Sequence, residues 1–258
     1  MRVTILGSGG ASGVPSISGG WGRCDPTNPR NRRRRPSILV EDESIRILVD
    51  TSPDLREQLL DAEVKRLDAV LFTHAHADHL HGIDDLREVN RAMNAAIPIW
   101  GTADVLEAID QRFGYVTTPQ APEAMVIYKP LLLPHGIEGP FNVGGISVVP
   151  FDQDHGFGRT TGFRFGKVAY STDCVELPEE AFAALAGVEV WIVGALTDRP
   201  NHPTHADVDK ALGWIDRVKP RRAIITHMGT GLDSEALRQR LPAHTEPAYD
   251  GMVIDIPK

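Results

Sequence analysis

Ten residues, Thr73 to Gly82 (Thr-His-Ala-His-Ala-Asp-His-Leu-His-Gly), limit what this chain can fold into more than any other stretch. Residues 68–73 read as a β-strand, and His74, His76, Asp78 and His79 follow it within six positions. A turn at that point folds the four side chains back toward one centre. Neutral imidazoles suit zinc, manganese and iron, and the carboxylate adds an oxygen ligand that offsets cation charge. The fold must therefore contain a strand whose carboxyl end opens on a ligand site, as sheets of α/β proteins do.

The rest of the chain agrees with that class. Short β-branched runs alternate with helical patterns along all 258 residues. Strands are expected at 3–6, 37–40, 45–49, 97–100, 146–150, 161–165, 168–171, 188–193, 222–226 and 252–256. Helices are expected from Ser52-Pro53 onward, at 84–95, at 103–113 behind Thr102, and at 178–186, 206–218 and 234–241. Residues 114–145, rich in Pro and Gly, carry no assignable pattern. With no repeat or linker in view, one α/β domain over 1–258 is the expectation.

Isolated histidines and aspartates fall just past the expected strand ends: Asp50 after 45–49, His155 after 146–150, Asp173 after 168–171 and His227 after 222–226. One open metal site needs three protein ligands, and this set suffices for two. Charge narrows the partners. Lys and Arg number 27 against 35 Asp and Glu, a net −8 that lacks the basic excess of a nucleic-acid binder. The N-terminus offers no secretory leader and the apolar stretch 181–196 is too short to span a bilayer, so a cytoplasmic protein is expected. Two cysteines, Cys24 and Cys174, make no disulfide framework.

Together these residues resemble the metallo-β-lactamase superfamily of dinuclear metallohydrolases. The resemblance implies a four-layer αββα fold, two mixed sheets packed face to face with helices outside. It implies that His74, His76 and His155 hold one of two divalent ions (manganese or zinc), that Asp78, His79 and His227 hold the other, and that Asp173 bridges them. Asp50 would stand behind, orienting a ligand histidine. Within the superfamily, the opening Ile5-Leu6-Gly7-Ser8-Gly9-Gly10-Ala11-Ser12-Gly13-Val14-Pro15 and the ending Tyr249-Asp250-Gly251-Met252-Val253-Ile254 resemble the PhnP-like phosphodiesterases, which open 5-phosphoribosyl 1,2-cyclic phosphate. Gly82-Ile83-Asp84-Asp85-Leu86-Arg87 is similar to a segment of many relatives. His205-Ala206-Asp207-Val208 is similar to that group's His-x-Asp-Leu stretch, which makes His205, with Asp78, the catalytic candidate. The resemblance implies hydrolysis of a small cyclic phosphate or nucleotide-like phosphodiester by a metal-bridging hydroxide. His205 would protonate the leaving group as its ring projects from a helix beginning near Ala206.

The accessory zinc that PhnP builds from several cysteines after the opening loop has no counterpart set here, since only Cys24 stands in that region. The run Arg30 to Arg35 is either a solvated, internally paired edge or an anion subsite, with Arg33, Arg35 and Arg87 as candidate contacts to a substrate phosphate. His81, His135, His202 and His244 are expected outside the ligand set. The partner is a small phosphodiester, with no membrane and no large nucleic acid, and a homodimer as the candidate assembly. Three alternatives stand beside this reading. A ribonuclease Z-like endonuclease would need a tRNA-gripping arm, for which the 18 positions from His155 to Asp173 leave no room. An ester, thioester or lactone hydrolase could use the same metals, and a non-hydrolytic carrier like the pyrroloquinoline quinone biosynthesis protein would bind without turnover.

Overall fold

The computed structural model describes residues 1–121 and 123–256. Strands β1 (Arg2–Gly7), β2 (Ser37–Asp42), β3 (Ile45–Val49), β4 (Ala69–Leu71), β5 (Ile97–Gly101) and β6 (Leu132–Gly136) belong to one sheet. Strands β7 (Phe141–Val143), β8 (Ile146–Asp154), β9 (Arg159–Phe165), β10 (Val168–Ser171), β11 (Val190–Gly194), β12 (Arg222–Thr226) and β13 (Thr245–Pro247) form the second. The chain then returns, and β14 (Met252–Asp255) joins the first sheet beside β1. Among the described residues each sheet has seven strands and one plan: three antiparallel pairings, then three parallel ones beginning at β3–β4 and at β10–β11. The helices are α1 (Leu55–Asp61), α2 (Ala77–Leu80), α3 (Leu86–Met93), α4 (Ala103–Phe113), α5 (Glu179–Leu185), α6 (Val208–Val218) and α7 (Ser234–Arg240). Two mixed sheets flanked by helices make the four-layer αββα arrangement.

The sequence dictates this layering through period-two burial. Ile38 and Val40 of β2, Ile47 and Val49 of β3, and Leu71 of β4 pack with Phe163, Phe165, Tyr170 and Ile192 of the second sheet. Their neighbours Leu39, Leu48, Val70 and Phe72 turn the other way and pack with Leu55 and Leu59 of α1, Leu86 of α3 and Ile109 of α4. Strands covered on both faces read as continuous apolar runs, as 47–49 and 69–72 do. Among the described residues no helix is long and apolar enough to cross a membrane.

Several elements differ from the sequence reading for identifiable reasons. The first helix begins at Leu55, because the Ser52 hydroxyl accepts from the Asp54 amide (3.1 Å) and its carbonyl from the Leu55 amide, forming a turn ahead of the helix. The helix expected at 84–95 is a 3₁₀ turn, Ile83–Asp85, followed by α3. Inside 114–145 lie β6 and β7. In β6 only Leu132 is buried, and Pro134 is tolerated because the strand sits at a sheet edge, so no apolar pattern marks it. The sixth helix begins at Val208, not Ala206, with Asp207 as its cap accepting from the Lys210 amide at 2.9 Å. His205 therefore lies in the loop ahead of the cap.

One carboxylate ties the two ends of the chain together. Asp250 accepts the Ser8 amide (2.9 Å), the Ser8 hydroxyl (2.7 Å) and the Arg34 amide (2.7 Å). Burial pushes its carboxyl up to about 6 even against these bonds. Asp250→Ala strands three donors at once and should lower unfolding free energy by about 2–4 kcal/mol in urea titrations. A loss under roughly 0.5 kcal/mol would show the three bonds to be dispensable. The sign of the pH effect follows from a folded value above the unfolded one: the native state holds the proton longer. Stability relative to the non-titrating Asp250→Asn variant should accordingly fall as pH rises from about 4 to above 6.

Candidate metal centre

The parallel halves of both sheets end at the same edge, and the chain turns sharply there. Asp50, just past β3, has φ 66°; Asp173, two residues past β10, has φ 50°; His227, directly past β12, has φ 57°. These are left-handed conformations that non-glycine residues rarely adopt, and they reverse the backbone so that each side chain hangs over the end of its own strand. The loop after β4 brings His74 and His76, and α2 brings Asp78 and His79. His155 follows β8. The Thr161 amide of β9 donates to the Thr73 carbonyl at 2.9 Å, joining the two sheets beside the site.

Two clusters result. In one, His74, His76, His155 and Asp173 place one donor atom each within 4.8 Å of one another; in the other, Asp78, His79, Asp173 and His227 do the same. Asp173 belongs to both. Its Oδ1 lies 3.2 Å from His79 Nε2 and 3.1 Å from His227 Nδ1, and its Oδ2 lies 3.8 Å from His74 Nε2 and 4.0 Å from His155 Nε2. All seven are buried except His76, which is exposed and marks the open side.

The donor atoms fit a pair of cations. Nε2 of His74, His79 and His227 and Oδ2 of Asp78 are buried with no hydrogen-bond partner, although His79 Nε2 and Asp78 Oδ2 face each other at 3.2 Å. Such orphaned polar atoms cost about 1–3 kcal/mol each unless something else satisfies them. The opposite ring nitrogens are engaged by protein. His79 Nδ1 donates to Asp50 Oδ2 at 2.6 Å, while Asp50 also accepts the Thr73 amide and hydroxyl, each at 2.8 Å. His155 Nδ1 donates to the Thr204 carbonyl at 2.7 Å. Bonds of this kind fix the ring and leave Nε2 as the free lone pair.

Protonation follows burial and charge. Burial lowers His227 to about 4 and holds His74 well below the usual imidazole range, so both rings are neutral at neutral pH. Burial would lower His79 as well, but the carboxylates of Asp173, Asp78 and Asp50 outweigh it and raise it well above that range, so a cation held at Nε2 would take the place of a proton there. Burial likewise opposes ionisation of Asp173, and the rings of His227 and His79 overcome it, holding the carboxyl well below its ordinary value.

His205 sits beside this group without joining either cluster. Its Nε2 is 3.1 Å from Asp173 Oδ2, and the Ala206 amide donates to the Cys174 carbonyl at 2.7 Å, pinning the loop next to Asp173. His202 packs edge-on to His205 at 5.1 Å between centroids. His81 packs edge-on to Phe113, His135 stacks on Trp100, and His244 lies at the β12–β13 connection. The arginine candidates each have partners of their own. Arg33 is buried, reaching Asn31 Oδ1 (3.2 Å) and the Gly229 carbonyl (3.5 Å); Arg35 pairs with Asp54 at 2.8 Å; Arg87 lies 3.5 Å from Glu88 and from the Tyr128 carbonyl. Thr204, which bonds both His155 and His205, escaped the sequence reading because a lone threonine carries no pattern.

The structure is similar to one described as a diphosphatase of the PhnP family, with a TM-score of 0.88 and 30% identity over 99% of this chain and 98% of that one. It also resembles zinc-bound PqqB from Methylobacterium extorquens at a TM-score of 0.78, 19% identity, 99% of this chain and 100% of that one. A protein of Porphyromonas gingivalis named Octanoyltransferase is 31% identical over 98% of this chain, which spans only 51% of that protein's length. Residues 45–228 match the Beta-lactamase superfamily domain, and with most of its length inside that match the chain belongs to the metallo-β-lactamase superfamily.

Proposed function

We propose that this protein is a dinuclear metal-dependent phosphodiesterase acting on a small cyclic phosphate or nucleotide-like phosphodiester. One observation carries the reading: two donor clusters share the buried Asp173 carboxylate, and a histidine outside both clusters, His205, points Nε2 at the same carboxylate from 3.1 Å. Likeness to a diphosphatase of the PhnP family supports chemistry at phosphorus. The short β9–β10 hairpin between His155 and Asp173, with the net charge of −8, favours a small substrate over tRNA.

His74, His76 and His155 would hold one ion and Asp78, His79 and His227 the other, with Asp173 common to both. Imidazole and carboxylate donors suit zinc and manganese alike, and zinc in the similar PqqB favours the former. Bound there, such ions would supply charge neutralisation for the phosphate oxygens and water activated at neutral pH. The chain's own residues do the rest. Asp50 and the Thr204 carbonyl keep the His79 and His155 rings turned inward. His205 Nε2 hands its proton to the departing alkoxide as the phosphorus–oxygen bond breaks, leaving a neutral ring.

A second reading, hydrolysis of an acyl thioester, is favoured by the match to half of a protein named Octanoyltransferase. Assaying cyclic and activated phosphodiesters beside an acyl thioester and a lactone on zinc- or manganese-loaded protein separates the two. Turnover confined to the thioester would overturn the first reading.

Elemental analysis after reconstitution should find two ions per chain, and Asp173→Ala should disturb both. One ion or none in the unaltered protein would refute the dinuclear assignment. His205→Ala should retain both ions and the fold yet lose about 10²–10⁴-fold in turnover, the range of a lost general acid. The loss should shrink for nitrophenyl esters, whose leaving group needs no proton. Equal losses on good and poor leaving groups would assign His205 to charge stabilisation instead.

A further inference from the structure

The geometry points to Thr204 as the positioning residue that sets how His205 presents its proton, a role that rests on the phosphodiesterase reading. Three contacts converge on this residue. Its carbonyl oxygen accepts His155 Nδ1–H at 2.7 Å, and its hydroxyl meets His205 Nδ1 at 2.8 Å. The same hydroxyl lies 3.4 Å from His202 Nδ1, at the limit of a hydrogen bond. The backbone around it is fixed: the Ala206 amide is bonded to the Cys174 carbonyl, and the Leu196 amide to the Ala206 carbonyl at 3.0 Å. From the other side, Gly156 approaches so closely that a β-carbon there would come within 2.3 Å of the Pro203 carbonyl, and φ at Gly156 is +77°. A segment held this tightly can aim a side chain.

The consequence concerns which ring nitrogen does the work. His205 Nε2 faces Asp173, and therefore the place where the two clusters meet; Nδ1 faces Thr204. When Nε2 gives up its proton to the leaving oxygen, the ring is left with its remaining proton on Nδ1, and that proton needs an acceptor. The Thr204 hydroxyl oxygen supplies one at ordinary hydrogen-bond length. No proton passes to threonine: the Nε2–H bond breaks, the new O–H bond forms on the leaving group, and the Nδ1–H···Oγ1 bond persists throughout. A hydroxyl suits the position because it accepts from Nδ1–H here and can donate to a bare Nδ1 in the other tautomer, so the ring keeps its orientation through the cycle. One residue thus serves two histidines through different atoms, main chain for His155 and side chain for His205. The two roles can be separated by substitution, because only the second depends on the side chain.

Thr204→Val keeps the branched shape and the carbonyl and removes the hydroxyl. It should retain two ions and an unchanged KM, while kcat falls about 10–100-fold on an alkyl phosphodiester and much less on a nitrophenyl one, a fraction of the effect of deleting the acid itself. Thr204→Ser should restore most of the rate. In a His205→Ala background, adding Thr204→Val should change nothing further. A second readout needs no turnover: in metal-free protein, the ring-nitrogen signals of His205, assigned through His205→Gln, should shift in Thr204→Val and return in Thr204→Ser. Undisturbed ring signals, or turnover equal to the unaltered enzyme on the alkyl ester, would overturn the proposal. Failure of every phosphodiester to react, with the ring signals shifting as described, would instead overturn the phosphodiesterase reading and leave the Thr204–His205 contact standing.

Discussion

A single ionised carboxylate at the meeting point of two sheets organises this molecule's chemistry. Asp173 is almost wholly buried, and an isolated carboxylate taken out of water would take up a proton rather than bear the desolvation cost. Here it is ringed by His74, His79, His155, His205 and His227, whose nitrogens stand 3.1–4.0 Å away. Those histidines arrive from four separate segments of the chain, and further groups steer them, such as Asp50 behind His79 and Thr204 behind His155 and His205. The constellation is thus an anion with a layered cage, and the unpaired nitrogens within the cage are what give it an appetite for cations.

The sheets exist to hold that cage. Both follow one plan, antiparallel strands followed by parallel ones, and only a parallel half gathers several carboxyl strand ends on one edge. Left-handed backbone at Asp50, Asp173 and His227 then brings short loops back over the edge. Such conformations cost of order 1–3 kcal/mol each and persist where surrounding structure enforces them. In this fold the enforcement comes from neighbouring hydrogen bonds, including the Asp50 amide to the Leu71 carbonyl at 2.9 Å.

The sequence was most readable where chemistry and periodicity coincide. The cluster His74–His79 and the strand-end residues Asp50, His155, Asp173 and His227 stand out because few other arrangements use such residues immediately after β-branched runs. The strands 45–49 and 168–171 are legible to the residue because they are mostly apolar and sharply bounded. Legibility failed where position replaces composition. Strand β6 buries one side chain of five, so nothing in Leu-Leu-Pro-His-Gly announces it. The start of α6 is not legible because Ala206 fits the apolar pattern of the helix that follows, while the actual boundary depends on a bond from the Lys210 amide to Asp207. Thr204 was invisible for a related reason: its importance lies in what two distant histidines need from it.

The division of donors between the sheets has a mechanical corollary. His74, His76, Asp78 and His79 ride on the first sheet, whereas His155, Asp173 and His227 ride on the second. Neither sheet carries a complete set, so ions bound in this arrangement would act as rivets through two slabs that otherwise adhere at this edge by side-chain packing and by backbone bonds such as Thr161 to Thr73 and Met228 to Ser8, each 2.9 Å. Sliding one slab against the other by an ångström would spoil both coordination spheres together. Ligand binding that favours the aligned state stabilises it by mass action, so metal supply and the shear stiffness of the whole sandwich become one linked property.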